Sequence, residues 1–357
     1  MPQISVLVPI YNVERYLAPC LDSLAAQSFE DFEVICINDG STDGSRGIIQ
    51  RYLDADPRFR VVDKPNSGYG ASMNLGLSEA RGRYVAILES DDLFVPRALE
   101  LLHSAAEGCG AQVSKADFEL YWSEGERHQR CHVVPKGLAG RCVCPLDEGR
   151  EVFYRQPSIW SGLYRRDFLE QNDIRFLETP GASYQDAGFG FKVWAAAERA
   201  CFLSESVLLY RQDNEASSVR SPGKVFCVMD EYAEMRRWLA KRGEAQSILE
   251  PVLARMSLNS YLWNYARLGP ELREGFLGRA RAELTELRES GLFDACGMGP
   301  VKRAELDALI DHPERFARAW SGGEPAPGPL GMLVHLGRLG GLGLVLAVMA
   351  QKLAGRG

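Results

Sequence analysis

The sequence predicts an open α/β fold, a mostly parallel sheet covered by helices, followed by a helical C-terminal region. Three observations carry this. Strand-length apolar runs alternate with segments of helical period over roughly the first hundred residues. Polar segments rich in Gly, Asn and Asp follow the apolar runs, which is turn chemistry. Beyond Lys224 the strand-like runs stop and long amphipathic stretches take over. Strand–helix alternation folds into parallel strands joined by right-handed crossovers, which brings successive strand ends to one rim.

Ile4–Ile10 is an apolar strand, and Val13, Leu17, Leu21 and Leu24 then recur at helical spacing. Phe32–Ile37 is a second strand, running into Asn38-Asp39-Gly40-Ser41-Thr42-Asp43-Gly44, turn residues that lead into a helix N-terminus. Ile48, Ile49, Tyr52 and Leu53 form the apolar face of that helix. Phe59–Val62 is a short third strand, Gly70–Ala80 a third helix and Tyr84–Leu88 a fourth strand. Pro96 is expected to open the next helix, because the first helical position tolerates a missing N–H. From 111 to 150 the pattern changes to short strand-like runs, Gln112–Val113 and Phe118–Trp122, separated by loops. Arg165–Asn172 reads as a helix, and Phe202–Arg211 as a strand ending in the polar stretch Gln212–Ser218. Val225–Arg242, Ala245–Arg267 and Glu271–Ser290 read as helices, and Ser321–Pro329 as a Gly/Pro linker. The expected domains are 1–220, with halves 1–110 and 111–220, a helical region 221–320, and a linker with an apolar basic tail over 321–357.

Composition narrows the function. With 46% apolar and 25% charged residues, the 357-residue chain can bury a full core. A net charge of −7 without a Lys/Arg block argues against a nucleic-acid partner. The strand at Ile4 leaves no room for a secretory signal before it, so a cytoplasmic setting is expected. Nine scattered cysteines read as reduced thiols. His128, Cys131, His132, Cys142 and Cys144 do not have the Cys-x₂₋₄-Cys spacing of a zinc site and read as thiols in a hairpin. In the tail, Leu330–Gly357 holds Arg338, Lys352 and Arg356 and no acid; its apolar core, Leu342–Ala350, is short of the ~20 residues of a membrane-spanning helix. It reads equally as a peripheral, interfacial helix or as a terminal helix that is packed on the protein or mobile.

The chemistry concentrates in Glu89-Ser90-Asp91-Asp92, directly after the apolar run Tyr84–Leu88. Carboxylates clustered at the C-terminal edge of a sheet repel one another unless a cation offsets them, and that edge is where open α/β sheets bind ligands. Mg²⁺ commonly takes one or two carboxylates plus substrate phosphates, so a phosphorylated ligand with a divalent metal is one reading. A solvated turn whose Asp91 or Asp92 caps the next helix is the other.

The ordered set Ser5-Val6-Leu7-Val8-Pro9-Ile10-Tyr11-Asn12, Asn38-Asp39-Gly40-Ser41-Thr42-Asp43, Asn66-Ser67-Gly68-Tyr69-Gly70-Ala71-Ser72-Met73-Asn74 and the acidic tetrad resembles a family 2 glycosyltransferase. The resemblance covers roughly residues 3–220, by the strand-and-motif order that sequence patterns allow. It implies a GT-A fold with a nucleotide-sugar half and an acceptor half. It also implies an inverting enzyme of the hexosyltransferase class, acting on a nucleotide-sugar and a glycan or lipid-linked acceptor, with Mg²⁺ or Mn²⁺. In such enzymes the positions of Pro9, Tyr11 and Asp39 hold base and ribose, and a carboxylate at Asp39 points to UDP; Asn66 belongs to the donor side. Asp91 matches the metal-binding acid. Glu89 stands where Asp is commoner and serves metal or ribose, while Asp92 is a supporting group or a cap. Asp186, before the helical run Gly188–Trp194, matches the general base, and Gln185 stands where Glu is common. Trp160 and Tyr184 are candidates for an apolar wall against a sugar, and Arg211 for a diphosphate donor or a surface ion pair. The resemblance further implies a bacterial cell-envelope polysaccharide role, with homo-oligomerisation open.

Rival readings are disfavoured by single features. A nucleotidyltransferase needs a Gly-rich phosphate loop after the first strand, where Pro9-Ile10-Tyr11-Asn12 stands. A dinucleotide oxidoreductase needs Gly-x-Gly-x-x-Gly there, and a P-loop NTPase needs Gly-Lys-Ser/Thr. A degenerate binding module without turnover remains, on the departures at Glu89 and Gln185.

Overall fold

The computed structural model describes residues 1–123, 127–179, 181, 183–214 and 224–354. Pro180, Ala182, the polar stretch beyond Asn214 and Arg356 lie outside the described residues. Contacts divide the chain into two compact units, Met1–Arg220 and Ser221–Gly357.

The first unit is built on one ten-stranded sheet. Its N-terminal part alternates as the apolar pattern requires: β1 (Ile4–Ile10), α1 (Glu14–Ala25), β2 (Phe32–Asn38), α2 (Ser45–Ala55), β3 (Phe59–Asp63), α3 (Tyr69–Glu79) and β4 (Tyr84–Ile87). β1 and β2 are buried along their whole length, because helices cover both faces and leave no solvent side for polar alternation. α1 turns Leu17, Cys20, Leu21 and Leu24 inward, a stripe at helical spacing. β1 runs parallel to β2 and β4, and β2 parallel to β3, so the four strands end on one rim.

The remaining elements are β5 (Leu93–Phe94), α4 (Ala98–Cys109), β6 (Val113–Trp122), β7 (Arg127–Cys131), β8 (Cys142–Val143), β9 (Gly162–Arg165), α5 (Arg166–Gln171), α6 (Gln185–Ala196) and β10 (Ala200–Arg211). The strand order is β3-β2-β1-β4-β9-β6-β10-β5. Here the sheet turns mixed: β6 and β10 are parallel, but β9 lies antiparallel between β4 and β6. The sheet is thus parallel through its first four strands and mixed in its second half, where the β6–β10 pair is again parallel.

Three local expectations are corrected. Gln112–Val113 and Phe118–Trp122 are not separate runs: Val113 to Trp122 is the single strand β6, and Gln112 directly precedes it. The polar residues between them are buried and satisfied from the side. Lys115 Nζ donates to Ser158 Oγ and Ser161 Oγ (both 2.7 Å), and Asp117 Oδ1 accepts the Val133 and Val134 N–H groups (both 3.0 Å). Pro96 does not open α4, which begins at Ala98; Leu93–Phe94 before it is drawn into the sheet by pairing with Leu208–Leu209. Arg165 ends strand β9 instead of starting the helix.

The second unit holds α7 (Cys227–Leu239), α8 (Glu244–Arg267), α9 (Pro270–Glu289), α10 (Leu292–Ala295), α11 (Pro300–Asp311), α12 (Pro313–Ala319) and α13 (Pro329–Ala354). The apolar stretch of the tail is longer than Leu342–Ala350: Pro329–Ala350 is long and apolar enough, by length and composition, to cross a membrane. Its helix is interrupted, however, at Gly340 and Gly341. Leu336 and Val348, on either side of the break, are buried with Ala304 of α11.

Candidate active site

The rim is assembled from four strand ends and one helix start. After β1, Tyr11 projects into solvent, 52% exposed, so it is not the core aromatic that a strand end also allows. Pro9 is buried inside β1 opposite Ile37 and lines the sheet rather than the surface. Asn12 adopts a left-handed conformation, φ 50°, which its short polar side chain supports. Its Oδ1 accepts the Thr42 N–H (2.8 Å), tying the first strand end to the second.

Asp39 sits at the end of β2, buried, and its backbone N–H donates to the Ile10 carbonyl (2.9 Å). Its carboxylate accepts the N–H groups of Ser67 (2.8 Å) and Gly68 (3.0 Å) and an ion pair from Lys64. Asp39 thereby organises the loop between β3 and α3, and Asn66 is left exposed on it.

The same motif reaches the segment before α6. Gly68 has φ +91°, and a Cβ there would lie 2.9 Å from Gly181 N and Thr179 O. The Tyr69 N–H donates to Gly181 O (3.1 Å). Asn74 Nδ2 donates to Phe176 O and Glu178 Oε1 (both 2.9 Å), and its Oδ1 accepts the Phe176 N–H (2.9 Å). The start of α3 is thus fastened to the segment that leads into α6 and Asp186.

The acids meet at this seam. Glu89 accepts a hydrogen bond from the Tyr69 hydroxyl (2.7 Å). Burial, with Asp91 and Asp186 adding their charge, still raises the Glu89 carboxyl to about 8. Asp91 Oδ2 accepts from Asn214 Nδ2 (2.8 Å). Asp92 is fully buried and caps no helix; its Oδ1 accepts the Arg211 N–H (2.8 Å), and its Oδ2 is buried without a partner. Burial first, then Asp91, pushes the Asp92 carboxyl well above the usual range. Asp186 lies in the first turn of α6, half-buried, its Oδ1 accepting the Ala187 N–H (2.8 Å). Burial lifts its carboxyl to about 6 despite that bond.

Several expected neighbours take other roles. Gln185 is buried and turned back into its own loop, with Nε2 donating to Thr179 Oγ1 (2.9 Å) and Oε1 accepting the Ser183 N–H. Arg211 pairs with Asp213 at 3.6 Å, but from inside the fold rather than from the surface. Its side chain is 5% exposed, lies over the Tyr16 and Tyr121 rings, and donates from Nε to the Asp91 carbonyl (2.7 Å). Trp160 is packed, stacked on Tyr210 at 5.1 Å. Tyr184 occupies the left-handed position ahead of α6, φ 60°. Of the thiol and imidazole cluster, His128 pairs with Glu119 (3.1 Å) and His132 with Asp117 (2.8 Å).

The structure thus gathers Glu89, Asp91, Asp92 and Asp186 at one place, with Tyr11 and Asn66 exposed on the same rim. Sequence reasoning missed Tyr69 and Asn74 as fasteners, although both lie in the motif Asn66–Asn74; it also missed Tyr210 and Asn214, which no spacing singled out. Among the described residues no three Asp, Glu, His or Cys side chains converge as a preformed metal cage. The donor set does fit a hard divalent cation that brings its own phosphate ligands. Asp91 and Glu89 supply the oxygen donors, the neighbouring Asp92 Oδ2 is buried and unpartnered, and the bases Lys64 and Arg211 are already engaged.

Residues 5–138 match the sequence model of the family described as Glycosyl transferase family 2. Among curated proteins, the uncharacterized glycosyltransferase EpsJ of Bacillus subtilis (strain 168) is 32% identical over 247 residues, 66% of this chain and 67% of EpsJ. The chondroitin synthase of Pasteurella multocida (strain Pm70) is 40% identical over 101 residues, 28% of this chain and 10% of that protein. Among solved structures, S. aureus TarS 1-349 in complex with UDP-GlcNAc is similar with a TM-score of 0.71 and 21% identity, covering 92% of this chain and 93% of TarS 1-349. At that identity the likeness is one of fold.

Proposed function

The chain belongs to the family 2 glycosyltransferases, and from this premise we propose that it transfers a sugar from a UDP-sugar, with inversion, to a hydroxyl of a glycan or lipid-linked acceptor. The observation that carries the proposal is the placement of Glu89, Asp91 and Asp92 after β4, within charge range of Asp186, on a rim where Tyr11 stands exposed. The UDP-GlcNAc in the TarS complex and the polysaccharide named for the chondroitin synthase support the donor and acceptor classes.

In this reading Tyr11 stacks on the base, and Asp39 holds the Ser67–Gly68 loop and the uracil and ribose edge beside it. Asp91, with Glu89, holds Mg²⁺ or Mn²⁺, which when bound offsets charge on the leaving diphosphate. Asp92 and the Arg211 brace keep the Asp91 backbone in place through hydrogen bonds to strand β10. Asp186 takes the proton from the attacking hydroxyl. With its carboxyl lifted to about 6, it is still ionised at neutral pH and is a stronger base than an ordinary aspartate. Inversion follows from attack on the face of the sugar opposite the diphosphate, which requires the base on that side.

Calorimetry of the purified chain with UDP, with and without Mn²⁺, tests the donor side. Metal-dependent binding that disappears in Asp91→Ala is expected. Binding of equal strength with and without metal, unchanged in Asp91→Ala, would remove Asp91 from the site. Binding without turnover across a broad panel of sugar donors and acceptors would favour the non-catalytic module.

A further inference from the structure

The tail helix α13 is apolar on two opposite faces. One face is accounted for: Leu336 and Val348 are buried with Ala304 of α11, and His335 Nε2 meets Glu305 Oε1 at 3.1 Å, both side chains almost fully buried. The other face carries Leu330 (76% exposed), Val334 (50%), Leu342 (73%), Leu346 (59%) and Met349 (46%). Leu342, Leu346 and Met349 follow at helical spacing, one stripe on the second segment. A helix that is apolar all round belongs in a core or against lipid, and packing on α11 uses only half of this one.

We propose that this free face docks on the surface of an anionic lipid bilayer, lying in the interface rather than crossing it. Charge and geometry select that occupant. In a chain of net charge −7, Leu330–Gly357 carries Arg338, Lys352 and Arg356 and no acid, and Arg338 is exposed one turn beyond Val334. Basic residues flanking exposed leucines suit anionic headgroups above an acyl boundary. A second copy of the chain is disfavoured, because a two-fold contact would set this basic segment against itself. Crossing is opposed by the break at Gly340 and Gly341, where Gly341 has φ 70° and ψ −168°. Backbone groups freed at the break have no partner in hydrocarbon. The segments on either side, 329–339 and 342–354, each fall well short of the ~20 residues a span requires. The inference rests on the proposed function only in giving a lipid-linked acceptor a surface to meet.

The test is co-sedimentation of the full chain with vesicles of phosphatidylcholine alone or mixed with phosphatidylglycerol, beside the double variant Leu342→Glu/Leu346→Glu. Binding to the phosphatidylglycerol vesicles, weakened by salt and reduced at least roughly tenfold in the variant, is expected from the loss of apolar insertion. No binding by the parent chain, or equal binding by parent and variant, overturns the proposal. So does a parent that self-associates through this face in sedimentation velocity without binding vesicles. Circular dichroism checks the fold; should the double variant fail to fold, Arg338→Glu reads the charge contribution, with a several-fold loss on anionic vesicles expected and no loss overturning the proposal. UDP binding is measured on the same samples. Vesicle binding without UDP binding would sink the donor reading alone, and UDP binding without vesicle binding would sink this one alone.

Discussion

At the scale of single residues, the site depends on carboxyl groups that burial has moved away from their ordinary behaviour. Asp186→Asn keeps the shape and removes the proposed base; turnover should fall roughly 100- to 10,000-fold while UDP affinity holds. Near-normal turnover in that variant would rule Asp186 out. The pH profile gives a second check. In the proposed mechanism Asp186 works as a carboxylate, and burial lifts it to about 6, so the rate should climb as pH rises through about 6. A rate that continued flat down to pH 4.5 would mean another group acts as base. Gln185, which the family pattern invites one to read as a lost acid, is a structural amide. Gln185→Glu removes the donors to Thr179 Oγ1 and Gly181 O and buries a charge. A loss of about 1–3 kcal/mol in urea unfolding is expected, without a gain in turnover.

At the scale of elements, the candidate site depends on how α3 is fastened to the segment before α6. Neither element brings Asp186 within charge range of Glu89 by itself; hydrogen bonds from Asn74, the Tyr69–Gly181 pair and the close approach at Gly68 and Gly70 do so together. A Cβ on Gly70 would sit 2.1 Å from the Leu177 carbonyl oxygen. Gly70→Ala should therefore push the two elements apart, costing about 1–3 kcal/mol as overpacking does and lowering turnover more than UDP affinity. Equal losses in both would place the effect on the donor half alone. The motif Asn66–Asn74 could be read as a family signature from the sequence, but its use as a fastener could not, because its partners lie about a hundred positions later, a separation that local pattern does not register.

At the scale of the whole molecule, the chain forms two compact units, of which the first carries all the candidate site residues. Leu336→Ala opens the small cluster around Ala304 and Val348 in the second unit. A loss of about 2–5 kcal/mol confined to that unit is expected, seen as an earlier denaturation step. UDP affinity should stay within about twofold, as for independent sites; a larger change would mean that the units are coupled. By itself the sequence determined the alternation of the first four strands and their helices, because apolar period and turn residues are local properties. It also determined the acids at the strand ends, because four parallel strands must finish on one side. Tertiary structure alone decided the rest. It inserted β9 antiparallel between β4 and β6, and it kept Lys115 and Asp117 inside a continuous strand by giving them partners from elsewhere. It turned Arg211 into a brace, and it broke the tail helix into two segments that each bury one face. Each of these depends on a neighbour distant along the chain, and only the folded molecule brings such neighbours within bonding distance.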